Sequence, residues 1–172
     1  SVASSLTAQL GQSVYVENKP GAAGNIAMAE VKRAAPDGYT LILGHVGTLA
    51  VNPALFGAKL PYDPVKDFVA ISLIAKVPNV IAVSQRSGFK TLAEFVAAAK
   101  AKPGSINYGS AGNGSAGHLA MEYFAAEAGI ELVHVPYKGS GPMLTDLIGG
   151  QTQATFNGLP SLVAQIKGGA LM

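Results

Sequence analysis

The chain has no cysteine among its 172 residues, which removes disulfides, zinc–thiolate centres and thiol nucleophiles together. Charge is scarce as well. Asp, Glu, Lys and Arg make up 13% of the chain, the net charge is +2, and no basic run stands out. A phosphate-neutralising surface is therefore not expected, nor a nucleic-acid partner. Long apolar runs are missing. The longest, residues 68–84, is broken by Lys76, Pro78 and Asn79, so no segment is suited to crossing a bilayer. The first residues lack a basic stretch followed by an apolar one, so no export signal is read in them.

Apolar material, by contrast, is plentiful. Hydrophobic residues reach 49%, enough for a core and far from a disordered composition. The 21 glycines and 10 prolines imply many tight connections. The length suits one ordinary domain or two small lobes. Helices are expected over residues 2–10, 26–35, 91–102, 115–128, 142–148 and from 160 to 167. Strands are expected over 14–17, 39–44, 68–76, 79–84, 106–109, 132–137 and 154–157. The strand at 79–84 is expected to pair antiparallel with the one before it. Thr91 and Glu94 have the spacing of a capping box. Strands alternating with helices predict an α/β fold with mainly parallel sheets. Residues 102–105 offer the best lobe boundary, giving 1–103 and 104–172.

The chemistry concentrates in one loop. Gly112-Asn113-Gly114-Ser115-Ala116-Gly117 fits GxGxxG between a strand and a helix. A dinucleotide fold also needs an acidic residue near the end of the next strand, and that strand ends in Tyr137-Lys138. Ser115 could be a nucleophile, but Asn113 stands where the hydrolase elbow GxSxG needs its first glycine. His118, one helical turn on, sets no triad. Two readings stay open from the residues. One is a capped βα turn with Ser115 as N-cap. The other is an anion site, in which glycines admit a ligand to free N–H groups at the helix start and Ser110, Asn113 and Ser115 add donors. On the second reading, the loop should present free backbone N–H groups.

Other candidates lie at strand ends. Gly47 and Thr48 follow His45 at the edge where α/β sheets bind ligands, although Thr48 can equally be an N-cap. Tyr137 and Lys138 close one strand and Asn157 another. His45, His118 and His134 are too scattered for a metal site, and His134 reads as a structural histidine within a strand. No metal, nucleotide or other cofactor is called for.

Several stretches together resemble a known family. They are VENKPGAAGNI at 16–26, APDGYTL at 35–41, LPYDPVKDF at 60–68, YGSAGNGSAGH at 108–118, HVPYKG at 134–139 and DLIGGQ at 146–151. In order and in combination, they are similar to the periplasmic solute receptors of the tripartite tricarboxylate transporter family, the Bug/TctC-like proteins. The resemblance implies a two-lobed periplasmic-binding-protein architecture. It implies capture of a small carboxylate, an organic acid or amino acid, in the periplasm and delivery to membrane permease subunits, with no bond made or broken. It favours ligand contact by Gly47, Thr48, Ser110, Asn113, Gly114, Ser115, His118, Tyr137 and Asn157. Family members begin with a strand and a proline- and glycine-rich loop before the first helix, and continue past the last residue here. The chain thus resembles an incomplete copy, with exposed strand edges that would promote self-association. The alternatives are a dinucleotide-binding enzyme fragment using the 112–117 loop and a non-binding fragment.

Overall fold

The computed structural model describes residues 2–172 as an α/β chain whose ordered centre is one four-stranded sheet. Helices α1 (Val2–Leu10), α2 (Asn25–Arg33) and α3 (Asn52–Phe56) precede the first strand. Then follow β1 (Asn79–Val83), α4 (Leu92–Ala101), β2 (Asn107–Ser110), α5 (Ala116–Ala128), β3 (Val133–Pro136), α6 (Ser140–Gly149), β4 (Ala154–Gly158) and α7 (Leu159–Lys167). The strand order is β1-β4-β2-β3. β2 runs parallel to both neighbours, with Tyr108 opposite His134 on one side and Ala154 on the other. β1 is antiparallel to β4, pairing Asn79 with Gly158 and Val83 with Ala154.

Local chemistry accounts for the helix ends. Thr91 Oγ1 accepts the Glu94 N–H at 3.1 Å, as the expected box requires. The return bond differs, because the Glu94 carboxylate takes the Lys90 N–H at 2.8 Å, one residue before the cap. Ser115 caps α5 by accepting the His118 N–H, and Gly129 ends that helix in the left-handed conformation, φ 62°.

The core lies almost wholly after residue 78. Val83, Phe95, Ala99, Ile106, Tyr108, Met121, Ala125, Ile130 and Ala154 form the larger cluster, covered by α4 and α5. Ala82, Leu147, Leu162 and Leu171 form a smaller one on the other face. β1 and α4 thus share a sheet and a core with elements after residue 104. The first 78 residues are tied together by a small polar knot instead. Asn52 Nδ2 donates to Asn25 Oδ1 at 2.6 Å, and the buried Tyr62 hydroxyl lies 3.0 Å from the same oxygen and 2.7 Å from Thr48 O.

Three expected strands are not formed. Residues 14–17, 39–44 and 68–76 enter no ladder among the described residues. A strand exists only when a neighbour supplies its hydrogen bonds, and these apolar stretches have no neighbour. Their side chains are bare: Tyr15, Tyr39, Leu43, Val69, Ile71 and Leu73 are all exposed. For the same reason the 79–84 strand pairs with β4 and not with its predecessor. The accessible surface is 10522 Å², against about 7,900 Å² expected for a compact monomer of 17.4 kDa.

Candidate functional site

The glycine-rich loop sits where β2 hands over to α5, at the carboxyl end of a central parallel strand. The left-handed φ values of Gly112 and Gly114, 125° and 79°, let it fold back on itself. Ser115 N donates to Gly112 O at 3.0 Å and closes the turn.

Its donors divide into two sets. Gly112 N–H is taken by Ser110 Oγ at 3.1 Å, and Gly114 N–H by His118 Nδ1 at 3.2 Å. The expectation of free N–H groups therefore fails at both glycines, because neighbouring side chains reach them first. Among the described residues, the amides of Asn113, Ala116 and Gly117 make no hydrogen bond. These are the donors left for an anion at the N-terminus of a 13-residue helix.

The sequence candidates fall into three groups. Asn113, Gly114 and Ser115 lie on the loop itself, between Ser110 at the end of β2 and His118 in the first turn of α5. Gly47 reaches it from the first half of the chain: a Cβ there would stand 3.2 Å from Gly114 O. Thr48 does not cap a helix. It is the second residue of a short wide turn, Gly47–Val51, and its hydroxyl exchanges hydrogen bonds with the His45 backbone. Tyr137 adjoins the loop through its main chain, since a Cβ on Gly112 would lie 3.2 Å from Tyr137 O. Its hydroxyl turns away to Asp146 Oδ2 at 2.7 Å. Burial and that carboxylate push the phenol up to about 12. Asn157 lies near the start of α5, its Cα 4.0 Å from where a Gly117 Cβ would be, and its side chain donates to Ser161.

Sequence reasoning missed the residues that press on the loop from the first half. A Cβ at Gly114 would stand 2.9 Å from Leu55 and 3.1 Å from Asn52 Oδ1. That Asn52 oxygen is buried without a hydrogen-bond partner. Ala22 and Ala23 nearby hold positive φ of 46° and 53°, a strained conformation for residues with a Cβ. No local pattern marked Asn52, 60 or so residues upstream of the loop it meets. Ala22 and Ala23 lie within the VENKPGAAGNI motif, which did not reveal their strain.

Behind the loop lies a row of rings. Ser110 Oγ and His134 Nε2 are 2.6 Å apart, and His134 stacks between Tyr108 and His118, at 4.9 and 4.1 Å between ring centres. The Tyr108 hydroxyl donates to Glu122. Burial, aided by the neighbouring His118, pushes His134 down to about 4. Two surface concavities, of about 390 and 430 Å³, lie elsewhere, the first along α5 beside Glu122 and Glu131 and the second beside Arg33 and Lys59. Neither is lined by Gly112, Gly114 or Ser115.

The family described as the tripartite tricarboxylate transporter family receptor matches residues 1–172. The chain belongs to that family. It is 39% identical to a UPF0065 protein of Agrobacterium vitis, over 96% of this chain and 47% of that one. Among solved structures, an R. palustris protein with adipate is 37% identical, with a TM-score of 0.95 over 99% of this chain and 56% of its own. MatC of Rhodopseudomonas palustris with bound malate is 32% identical, with a TM-score of 0.91 over 99% of this chain and 58% of its own. The chain thus spans about half the length of the relatives it matches. For this tricarboxylate-receptor family member, the α/β fold expected from sequence agrees with those structures.

Proposed function

We propose that this chain acts as a periplasmic solute receptor that binds a small carboxylate for a tripartite tricarboxylate-type transporter, handing it to the membrane permease subunits. The observation that carries the reading is the set of unpartnered amides of Asn113, Ala116 and Gly117 at the start of α5. A carboxylate needs hydrogen-bond donors and positive potential, and this junction supplies both without a metal or a cofactor. Gly47, Thr48, Ser110, Asn113, Gly114, Ser115, His118, Tyr137 and Asn157 are the residues assigned to the ligand's surroundings. Bound adipate and malate in two relatives of the same fold support a dicarboxylate as the first candidate. The chemistry is capture and release, not bond making, in keeping with a family of receptors.

The resemblance supports a first lobe of residues 1–103 and a second of 104–172, although β1 and α4 pack in the sheet and core of the later residues. Asn52, Leu55 and Gly47 bring the first lobe onto the loop of the second, so closure around a ligand would pass through those contacts. Calorimetric titration with a panel that includes adipate and malate tests the function. Saturable one-to-one binding of one member is the expected result, and no heat with any of them would overturn it.

The exposed apolar segments favour a second property, self-association. Residues 39–44 and 68–76, which join no ladder among the described residues, carry bare Leu43, Val69, Ile71 and Leu73. Such segments recruit other chains. Sedimentation at several concentrations should show mass rising with concentration, and a concentration-independent monomer would sink this reading.

A further inference from the structure

The two glycine amides that are already taken are both held by side chains that lead to His134. Gly112 N–H donates to Ser110 Oγ, which lies 2.6 Å from His134 Nε2. Gly114 N–H donates to His118 Nδ1, and the His118 ring stacks on His134 at 4.1 Å. An imidazole nitrogen accepts a hydrogen bond only while it carries no proton. Gly114 is therefore held only by a His118 whose Nδ1 is bare.

We propose that His118 and His134 are positioning residues that work as a proton-operated latch: one proton taken up on His118 Nδ1 releases the Gly114 N–H and sets a positive charge beside the loop, so that an anion binds there with proton uptake. The step balances simply. A solvent proton adds to the Nδ1 lone pair, the imidazole becomes imidazolium, and the amide N–H exchanges that acceptor for the incoming anion. The carboxylate as ligand rests on the function proposed above. The latch itself does not.

The surroundings limit the pair to a single proton. Two imidazolium rings stacked at 4.1 Å would repel each other strongly. His134 is the one held neutral, since burial and the neighbouring His118 disfavour its charge. Several groups face the pair. From β2 come Ser110 and Tyr108, the latter stacked on His134. From α5 comes Glu122, which takes the Tyr108 hydroxyl and whose charge favours protonation of His134. From the first half of the chain come the uncharged Leu55, Asn52 and Ala23 and the Gly47 turn against Gly114, with His45 behind Gly47. No other cation among these groups competes for the role.

The test is a pH titration of the ¹⁵N-labelled chain from pH 8 to 5, following the Gly114 amide and the imidazole nitrogens. At pH 8 His118 should be the tautomer with bare Nδ1. The Gly114 amide should then shift in one step that coincides with the His118 ring, while Gly112 does not follow it. In His118→Phe that step should vanish. A protonated Nδ1 at pH 8, or a Gly114 amide that stays flat across the range, would overturn the latch in the unaltered chain, whatever the variant does. Calorimetry with adipate in two buffers of different ionisation heat supplies the second arm. Proton uptake on binding is expected, with affinity rising as the pH falls. Binding with no proton uptake would overturn the coupling. If adipate gives no heat while the Gly114 step is present, the latch stands and the carboxylate function falls.

Discussion

Replacing Gly117 with alanine isolates one contact on which the site depends. Gly117 is the second residue of α5, and a Cβ there would lie 1.9 Å from Phe156 O and 3.1 Å from its carbonyl carbon. An ordinary C···O contact is about 3.3 Å, so α5 and β4 would have to part by about 1.4 Å. The obstructing atom is backbone, and β4 is pinned between β1 and β2, so neither element can yield cheaply. Overpacking of this kind costs about 1–3 kcal/mol, and a backbone clash belongs at the upper end. Alanine recovers at most about 1 kcal/mol of helix propensity. The net loss should be about 2 kcal/mol, which lowers a urea midpoint by about 1 M at a slope of about 2 kcal/mol/M. Gly141 supplies a matched control. It too is the second residue of its helix, α6, but nothing lies within 4 Å of its added Cβ. Gly141→Ala should leave the midpoint unchanged or raise it. If the two variants unfold at the same urea concentration, the close approach of α5 to β4 does not hold in solution.

Three further outcomes are expected. Tyr62→Phe removes the hydroxyl that meets Thr48 O and Asn25 Oδ1, leaving a buried carbonyl without its donor; a loss of about 1–3 kcal/mol is expected, with faster amide exchange in 25–33 and 47–56. Ser115→Ala removes the cap on the His118 N–H, costing about 1 kcal/mol in stability, and should also weaken carboxylate binding; an unchanged affinity would leave Ser115 a cap and nothing more. His134 is held neutral in the folded chain down to about 4, below the ordinary histidine value of about 6.5, so between these values the unfolded chain binds more protons. Stability should therefore fall as pH drops through that window, and His134→Phe should flatten that part of the profile; an unaltered slope in the variant would assign it to other groups.

Much of the molecule was legible in local pattern. The caps at Thr91 and Ser115 and the helices they open follow from bonds within a few residues, which sequence order displays directly. The ordered family motifs led to the receptor family whose description matches residues 1–172. What sequence could not display was pairing. Residues 39–44 and 68–76 have the composition of strands, but a strand requires a partner at hydrogen-bonding distance, and composition does not say whether one is there. β1 found its partner 70 or so residues downstream in β4, not in the stretch beside it. The same limit governed the site. The GxGxxG spacing located the loop, but the capture of the Gly112 and Gly114 amides by Ser110 and His118 depends on where side chains turn. The pressure of Asn52 and Leu55 on Gly114, and the His118–His134 stack, join residues far apart in the chain. Local sequence determined which segments curl and where they stop, because those energies are short-ranged; only tertiary packing decided which donors remain free, because that depends on what each amide meets once the chain has closed on itself.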